Sequence, residues 1–216
     1  AYCLYRFPHR PGSRSTYEPE NRKLELSLGA ITTVAVVVLL APGLSVWGRF
    51  IDPPADAMDV EAVGAQWNWA FRLPGEDGRF GATDVRFIGG DNALGLNPAD
   101  PKGRDDLVVA GGELHVPLGK PVKVLLRSID VLHDFYVPEI RAKMDLVPGM
   151  ETFFWFTPTR AGQFEILCVA YCGVGHPQMR GVLVVDEPEA YEKWRMAQHS
   201  FAWIVKRDRE KHASAK

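Results

Sequence analysis

Cys168-Val-Ala-Tyr-Cys172-Gly-Val-Gly-His176-Pro-Gln-Met179 is the stretch on which the reading of this 216-residue chain turns. Two thiols, an imidazole and a thioether recur at spacings of four, four and three, so they share one tight loop. Upstream, Asp130-Val-Leu-His133-Asp-Phe offers a second imidazole. Together these groups form a soft-to-borderline donor set, which prefers copper to hard cations such as magnesium or calcium. Gly173 and Gly175 let the backbone curl around a metal. Such a loop after a strand, joined by a histidine from a neighbouring strand end, suits the tip of a β-sandwich.

On the residues alone several readings stay open. A Cys168–Cys172 disulfide is permitted in an exported domain, but it leaves His133, His176 and Met179 without a task. Zinc suits cysteine and histidine, yet structural zinc sites seldom recruit methionine. A single blue-type copper needs two histidines, one cysteine and an axial methionine, here His133, His176, Cys172 and Met179. Cys168 is then a surplus thiolate. Two bridging thiolates can instead hold two coppers that share one electron, which spreads the geometric change on reduction over both.

Working outward, short β-like runs alternate with turn signals: Leu107–Ala110, Leu114–Pro117, Val122–Ser128, Thr152–Phe156, Gly162–Cys168 and Gly181–Val185. Spacings near ten residues without helical patterns between them predict an antiparallel sandwich or barrel. Met58–Phe71 reads as one further strand with Trp67 and Trp69 on the same face. Residues 74–106 are rich in Gly, Pro, Asp and Asn and read as long loops, with a short strand at Val85–Ile88. From Pro188 to about His212 the composition is helical, with Pro188 suited to a first turn.

The N-terminal part differs in kind. Leu26 to Gly48 contains no charge and is long enough to span a bilayer as a helix. Pro42 and Gly43 do not argue against this, because membrane helices tolerate both. Arg6, Arg10, Arg14, Arg22 and Lys23 precede the span, while Arg49 is followed by Asp52, Asp56 and Asp59. The positive-inside bias then leaves the N-terminal segment in the cytoplasm and everything after Trp47 outside. Ala1-Tyr2-Cys3-Leu4-Tyr5 reads as the last turns of an earlier membrane helix. The expected organisation is an anchor over 1–48 (end of a helix, cytoplasmic loop, transmembrane helix), a β domain over 49–187, and a C-terminal helix and tail over 188–216. Residues 49–186 carry 13 Lys and Arg against 19 Asp and Glu, a net charge of −6. An acidic domain repels nucleic acid and attracts basic partners.

The chain resembles subunit II of cytochrome c oxidases from Glu25 to the C-terminal helix. The blocks that carry the resemblance are Leu24-Glu25-Leu26, Gly64-Ala-Gln66-Trp67-Asn-Trp69, Asp130 to Pro138, Lys143-Met-Asp145-Leu-Val-Pro148-Gly149 and the Cys168–Met179 loop. The resemblance implies an all-β, cupredoxin-like Greek-key sandwich with an N-terminal transmembrane helix and a C-terminal helix, holding a binuclear CuA centre of two coppers. His133 and His176 would each bind one copper and Cys168 and Cys172 would bridge them. Met179 and the carbonyl of Ala170 would be weak axial ligands. Trp67 matches the tryptophan that receives the electron from cytochrome c, and Glu25 matches a glutamate at the mouth of a proton channel.

Ala170 stands where the family usually has a glutamate that also binds magnesium, so magnesium is not expected through that position. The implied protein is a non-catalytic electron relay in an oxidoreductase and translocase of the bacterial inner membrane, with its copper domain on the periplasmic face. Its implied partners are the catalytic haem–copper subunit I, other oxidase subunits, cytochrome c and lipid. The signature of attached haem c, Cys-x-x-Cys-His, is absent. Two alternatives are a copper-containing nitric oxide reductase subunit and a membrane-bound copper storage or delivery protein.

Overall fold

The computed structural model describes residues 1–14, 17, 19–89, 92–109 and 111–214. The chain divides into two compact units, Ala1–Gly48 and Arg49–Lys216. In the first unit a short helix α1 (Tyr2–Arg6) precedes the start of the long helix α2 (Arg22–Ile51). The α2 helix begins where Asn21 Oδ1 accepts a hydrogen bond from Leu24 N–H at 3.1 Å, a side-chain cap on an otherwise orphan donor. Glu25 lies in its first turn, where a carboxylate complements the helix dipole. The helix has 30 residues and a window of mean hydropathy 2.2, with none of that window buried against the rest of the chain. A helix apolar all round and bare within its own chain is suited to lipid. At about 1.5 Å per residue it is long enough to cross a bilayer.

The second unit is a two-sheet sandwich of cupredoxin-like type. One sheet is built from β1 (Met58–Ala65), β2 (Asn68–Leu73), β3 (Leu107–Val109), β5 (Val122–Ser128), β8 (Thr152–Phe156) and β11 (His199–Ser200), in the order β11-β3-β2-β1-β5-β8. The other contains β4 (Glu113–Pro117), β6 (His133–Val137), β7 (Ala142–Leu146), β9 (Gly162–Cys168) and β10 (Arg180–Asp186), in the order β4-β10-β9-β6-β7. Alternation sets the faces. In β5, Val122, Val124 and Leu126 are buried while the residues between them are only partly so. They meet Phe71, Leu73 and Phe154 of their own sheet and Leu114, Val116, Phe135, Val137, Ile166 and Leu183 of the facing one. Each such side chain contributes roughly 1.5–3 kcal/mol by leaving water. Trp69 packs edge-on to Phe135, with ring centroids 5.5 Å apart, beneath the loop end of the sandwich.

The other face of the first sheet is covered as well. Val63, Leu94, Leu96 and Phe201 form a second apolar cluster there. Beside it Arg72 is buried, donating to Glu61 Oε2 at 2.8 Å, Asp106 Oδ2 at 2.8 Å and the Gly81 carbonyl at 3.0 Å. Arg127 Nε reaches the other Glu61 oxygen at 3.2 Å. Through Gly81 and Asp106 this ion network ties the long segment 74–106 to the sheet.

The structure corrects several sequence-based expectations. Met58–Phe71 is two antiparallel strands, because the alternation runs through a turn at Gln66-Trp67. Trp67 therefore lies in the turn and Trp69 in the core, not on one face. Val85–Ile88 is no strand: Val85–Phe87 form a single 3₁₀ turn, capped by the Asp84 side chain on Arg86 N–H at 2.9 Å. The sandwich is not purely antiparallel, since β1 pairs with β5 and β4 with β10 in parallel. The chain leaves each sheet for the other between those partners, so no hairpin dictates their direction. The C-terminal helix is broken into α3 (Pro188–Met196) and α4 (Phe201–Ser214). Between them β11 pairs with β3, and burial of Phe201 fixes the bend. Strands β6 and β7 went unread, and Ala110, expected to end a strand, lies outside the described residues.

Candidate metal centre

The ends of three strands of the second sheet create the site. In the β6–β9 ladder Phe135 pairs with Cys168, so a continuing ladder would put residue 170 opposite His133. β9 stops at Cys168 instead, and the chain peels away into the loop just where His133 begins β6. The loop returns at Met179, whose carbonyl accepts from Cys168 N–H at 3.3 Å before β10 starts. Within the loop His176–Gln178 form a 3₁₀ turn, with His176 N–H on the Gly173 carbonyl at 3.1 Å.

This path gathers the five side chains singled out in the sequence. Cys168, Cys172, His133 and Met179 are buried, and both cysteines are free thiols. The two sulfurs lie 3.7 Å apart. Cys168 Sγ faces His133 Nδ1 at 3.9 Å, and Cys172 Sγ faces His176 Nδ1 at 3.6 Å and Met179 Sδ at 4.0 Å. The Ala170 carbonyl lies 3.3 Å from Cys168 Sγ. With metal–sulfur bonds of about 2.3 Å and metal–imidazole bonds of about 2.0 Å, donors a little under 4 Å apart are positioned to share a cation. Soft sulfur and borderline imidazole, shielded from water, fit copper and not a hard ion. His133, Cys168 and Cys172 alone already satisfy the geometry of a metal cluster.

The surroundings prepare these donors. His133 Nε2–H donates to Asp130 Oδ1 at 2.8 Å, which fixes the ring with Nδ1 turned toward the sulfurs. Asp130 also accepts from Gln66 N–H and Val131 N–H, each at 2.6 Å. Burial works against its carboxylate, but the Gln66 amide, the His133 imidazole and the Val131 amide outweigh that and hold its pKa below the ordinary value. For Cys172, burial and the neighbouring Cys168 thiol push the pKa up to about 11. The metal-free Cys172 is thus a thiol near neutrality, and binding a cation there releases its proton.

Of the three carboxylates nearest the site, Asp130 supports a donor, Asp134 is buried and Asp145 is exposed. Burial, with a contribution from Asp145, raises the Asp134 pKa to about 6 against the opposing pull of Lys143. A group raised in the folded state stabilises it below the ordinary carboxylate range, near pH 4, and loses that contribution as pH rises through about 6. Asp134→Asn should therefore raise the melting temperature at pH 7.5 and leave it nearly unchanged at pH 4.5. Calorimetry at the two pH values checks this.

Trp67 is 36% exposed and lies against the loop, its indole N–H on the Cys172 carbonyl at 3.2 Å. Gln66, which sequence reasoning passed over, donates to the same carbonyl at 2.8 Å. Glu25 belongs to the other unit, exposed in the first turn of α2.

The profile of the family described as cytochrome C oxidase subunit II, periplasmic domain, matches residues 58–186, which hold both sheets except β11 and the whole donor set. The chain belongs to the cytochrome c oxidase subunit II family. It is 55% identical over 208 residues to the alternative cytochrome c oxidase subunit 2 of Bradyrhizobium diazoefficiens, covering 96% of this chain and 75% of that protein. It is 30% identical over 216 residues to cytochrome c oxidase subunit 2 of Synechocystis, covering 89% of this chain and 64% of that one. Among solved structures, the periplasmic domain of subunit II of cytochrome oxidase of Bradyrhizobium japonicum is 25% identical, with a TM-score of 0.48 over 66% of this chain and 94% of that domain. Subunit II membership makes this a CuA-type domain of an oxidoreductase complex, joined to a helix able to anchor it in a membrane. Neither the nitric oxide reductase nor the copper storage alternative is favoured by these relatives.

Proposed function

We propose that this chain is the electron-receiving subunit of a haem–copper oxidase, taking single electrons from cytochrome c and delivering them to haem in a catalytic partner subunit. The observation that carries the proposal is the doubled donor pattern: two free buried thiols 3.7 Å apart, each facing its own imidazole. One copper leaves half of that pattern without a purpose. A bound copper pair supplies one-electron redox chemistry with the charge shared between two metals.

The chain's own residues supply the rest. Cys168 and Cys172 would bridge, His133 and His176 would each hold one metal, and Met179 and the Ala170 carbonyl would complete the set. Burial excludes water, so little solvent has to reorganise when charge changes. Trp67 spans the distance from the surface to the Cys172 carbonyl and is the proposed point of electron arrival. At position 170 an alanine offers no carboxylate, which argues against magnesium bound there. Glu25, ahead of the apolar stretch of α2, is proposed to stand at the entrance of a proton channel on the cytoplasmic side, with the copper domain on the periplasmic side.

The acidic β domain, with 19 Asp and Glu against 13 Lys and Arg, would draw in a basic cytochrome. The association rate with reduced cytochrome c should fall about tenfold or more as ionic strength rises from roughly 0.01 M to 0.15 M, where the screening length shrinks from about 30 Å to about 8 Å. Stopped-flow mixing reads this directly. A rate indifferent to salt would point to a quinol or an uncharged donor.

A further inference from the structure

The donor loop is tied to the β1–β2 turn at one backbone oxygen. The Cys172 carbonyl accepts from Gln66 Nε2 at 2.8 Å and from Trp67 Nε1 at 3.2 Å. A carbonyl oxygen has two lone pairs, so adjacent residues of a single turn occupy both. The residue after Cys172 lets this happen. Gly173 has φ +118°, a conformation that disfavours any side chain, and a Cβ there would come within 3.1 Å of Gln66 Nε2 and 3.2 Å of the Trp67 ring. A Cβ at Gly175 would lie 2.2 Å from Trp67 Cδ2. The indole therefore rests on bare loop backbone. Behind it, Gln66 N–H donates to Asp130, the same carboxylate that holds His133.

The geometry points to Gln66 as the positioning residue of the Trp67–Cys172 contact. It is anchored through its backbone to the carboxylate behind one donor, and through its side chain it holds the carbonyl of another. Gln66 makes the shorter of the two bonds to this carbonyl, and without it the longer indole bond is the one of the pair that remains. This inference rests on the reading of Trp67 as the electron-receiving side chain. Gln66 itself touches no donor atom.

The test uses the full chain in detergent, with Gln66→Met to keep the side-chain length and remove the donor. In the metal-free, reduced protein, labelling of the loop thiols by a bulky aromatic disulfide should become about fivefold faster, the factor one ordinary hydrogen bond is worth. The Trp67 indole N–H magnetic resonance signal, assigned with Trp67→Phe, should shift while those of the other tryptophans stay. After copper loading, electron uptake from cytochrome c should slow with the copper hyperfine pattern unchanged. Gln66→Glu, which presents only acceptors to the carbonyl, should change labelling and indole signal further in the same direction, and it decides the matter if the methionine variant does not fold. Labelling and indole signals unchanged in the folded variants would overturn the proposal. If Trp67→Phe slows uptake but Gln66→Met does not, the positioning role fails and the role of Trp67 stands. If Trp67→Phe leaves uptake unchanged, the reading of Trp67 fails and takes the electron-transfer part of this proposal with it, while labelling still decides whether Gln66 holds the loop.

Discussion

Cys172→Ser is expected to weaken copper binding by more than about 100-fold, beyond what loss of an outer hydrogen-bond partner costs a metal site. Cys172 Sγ stands at the centre of the donor set, within 4.0 Å of Cys168 Sγ, His176 Nδ1 and Met179 Sδ. A serine hydroxyl is a harder donor with a far higher pKa, and it cannot bridge as a soft thiolate does. Copper stoichiometry after dialysis should fall well below that of the parent protein. Any copper retained should sit on Cys168 and His133, with the spectrum of a single ion. The fold should survive, because the loop backbone is held by Met179, Gly173 and Gly175 carbonyls that the substitution leaves alone. A Cys172→Ser protein that still binds two coppers per chain would show that this thiol is not a bridge.

The second large effect concerns stability. Arg72→Met should cost about 3–5 kcal/mol, because it leaves Asp106 buried without its cation and Glu61 with Arg127 alone. Asp106 is already a costly group: burial raises its pKa against the opposing pull of the Gly81 amide and Arg72. For a domain of this size that loss lowers the melting temperature by roughly 10 °C or more. The double change Asp106→Asn with Arg72→Met should recover part of it, since a buried neutral amide is cheaper than a stranded carboxylate. Thermal unfolding of the three proteins reads the comparison. A loss under about 1 kcal/mol would mean that water reaches the network and that the 74–106 segment is held by its apolar contacts instead.

Those two regions also mark what the sequence made legible and what it did not. Val122–Ser128 could be delimited because its buried positions alternate along one face, and Thr152–Phe156 and Gly162–Cys168 because their apolar runs are stopped by turn residues. The donor cluster was visible because four of its side chains fall within twelve residues, a density that packing alone seldom produces. The 58–73 hairpin was misread because its turn residues, Gln66 and Trp67, carry no glycine, proline or asparagine signal. Helix α3 and helix α4 looked continuous because composition does not reveal that Phe201 must bury against Leu94 and Leu96. Gln66 was invisible for a different reason. Its partner Cys172 is 106 residues away in sequence, and a glutamine beside a tryptophan has no meaning until the fold brings the loop to it. The Arg72 network is long-range in the same way, joining β1, β2 and the end of the 74–106 segment.

The claim on which the account depends is that Cys168 and Cys172 stay reduced and, as thiolates, clamp two coppers between His133 and His176. Electron paramagnetic resonance of the partly oxidised, copper-loaded chain tests it most directly. One unpaired electron shared equally by two copper nuclei of spin three-halves gives seven hyperfine lines, which is the predicted spectrum. Four lines, from an electron confined to one copper, or a silent sample whose two sulfurs have joined in a disulfide, would contradict it.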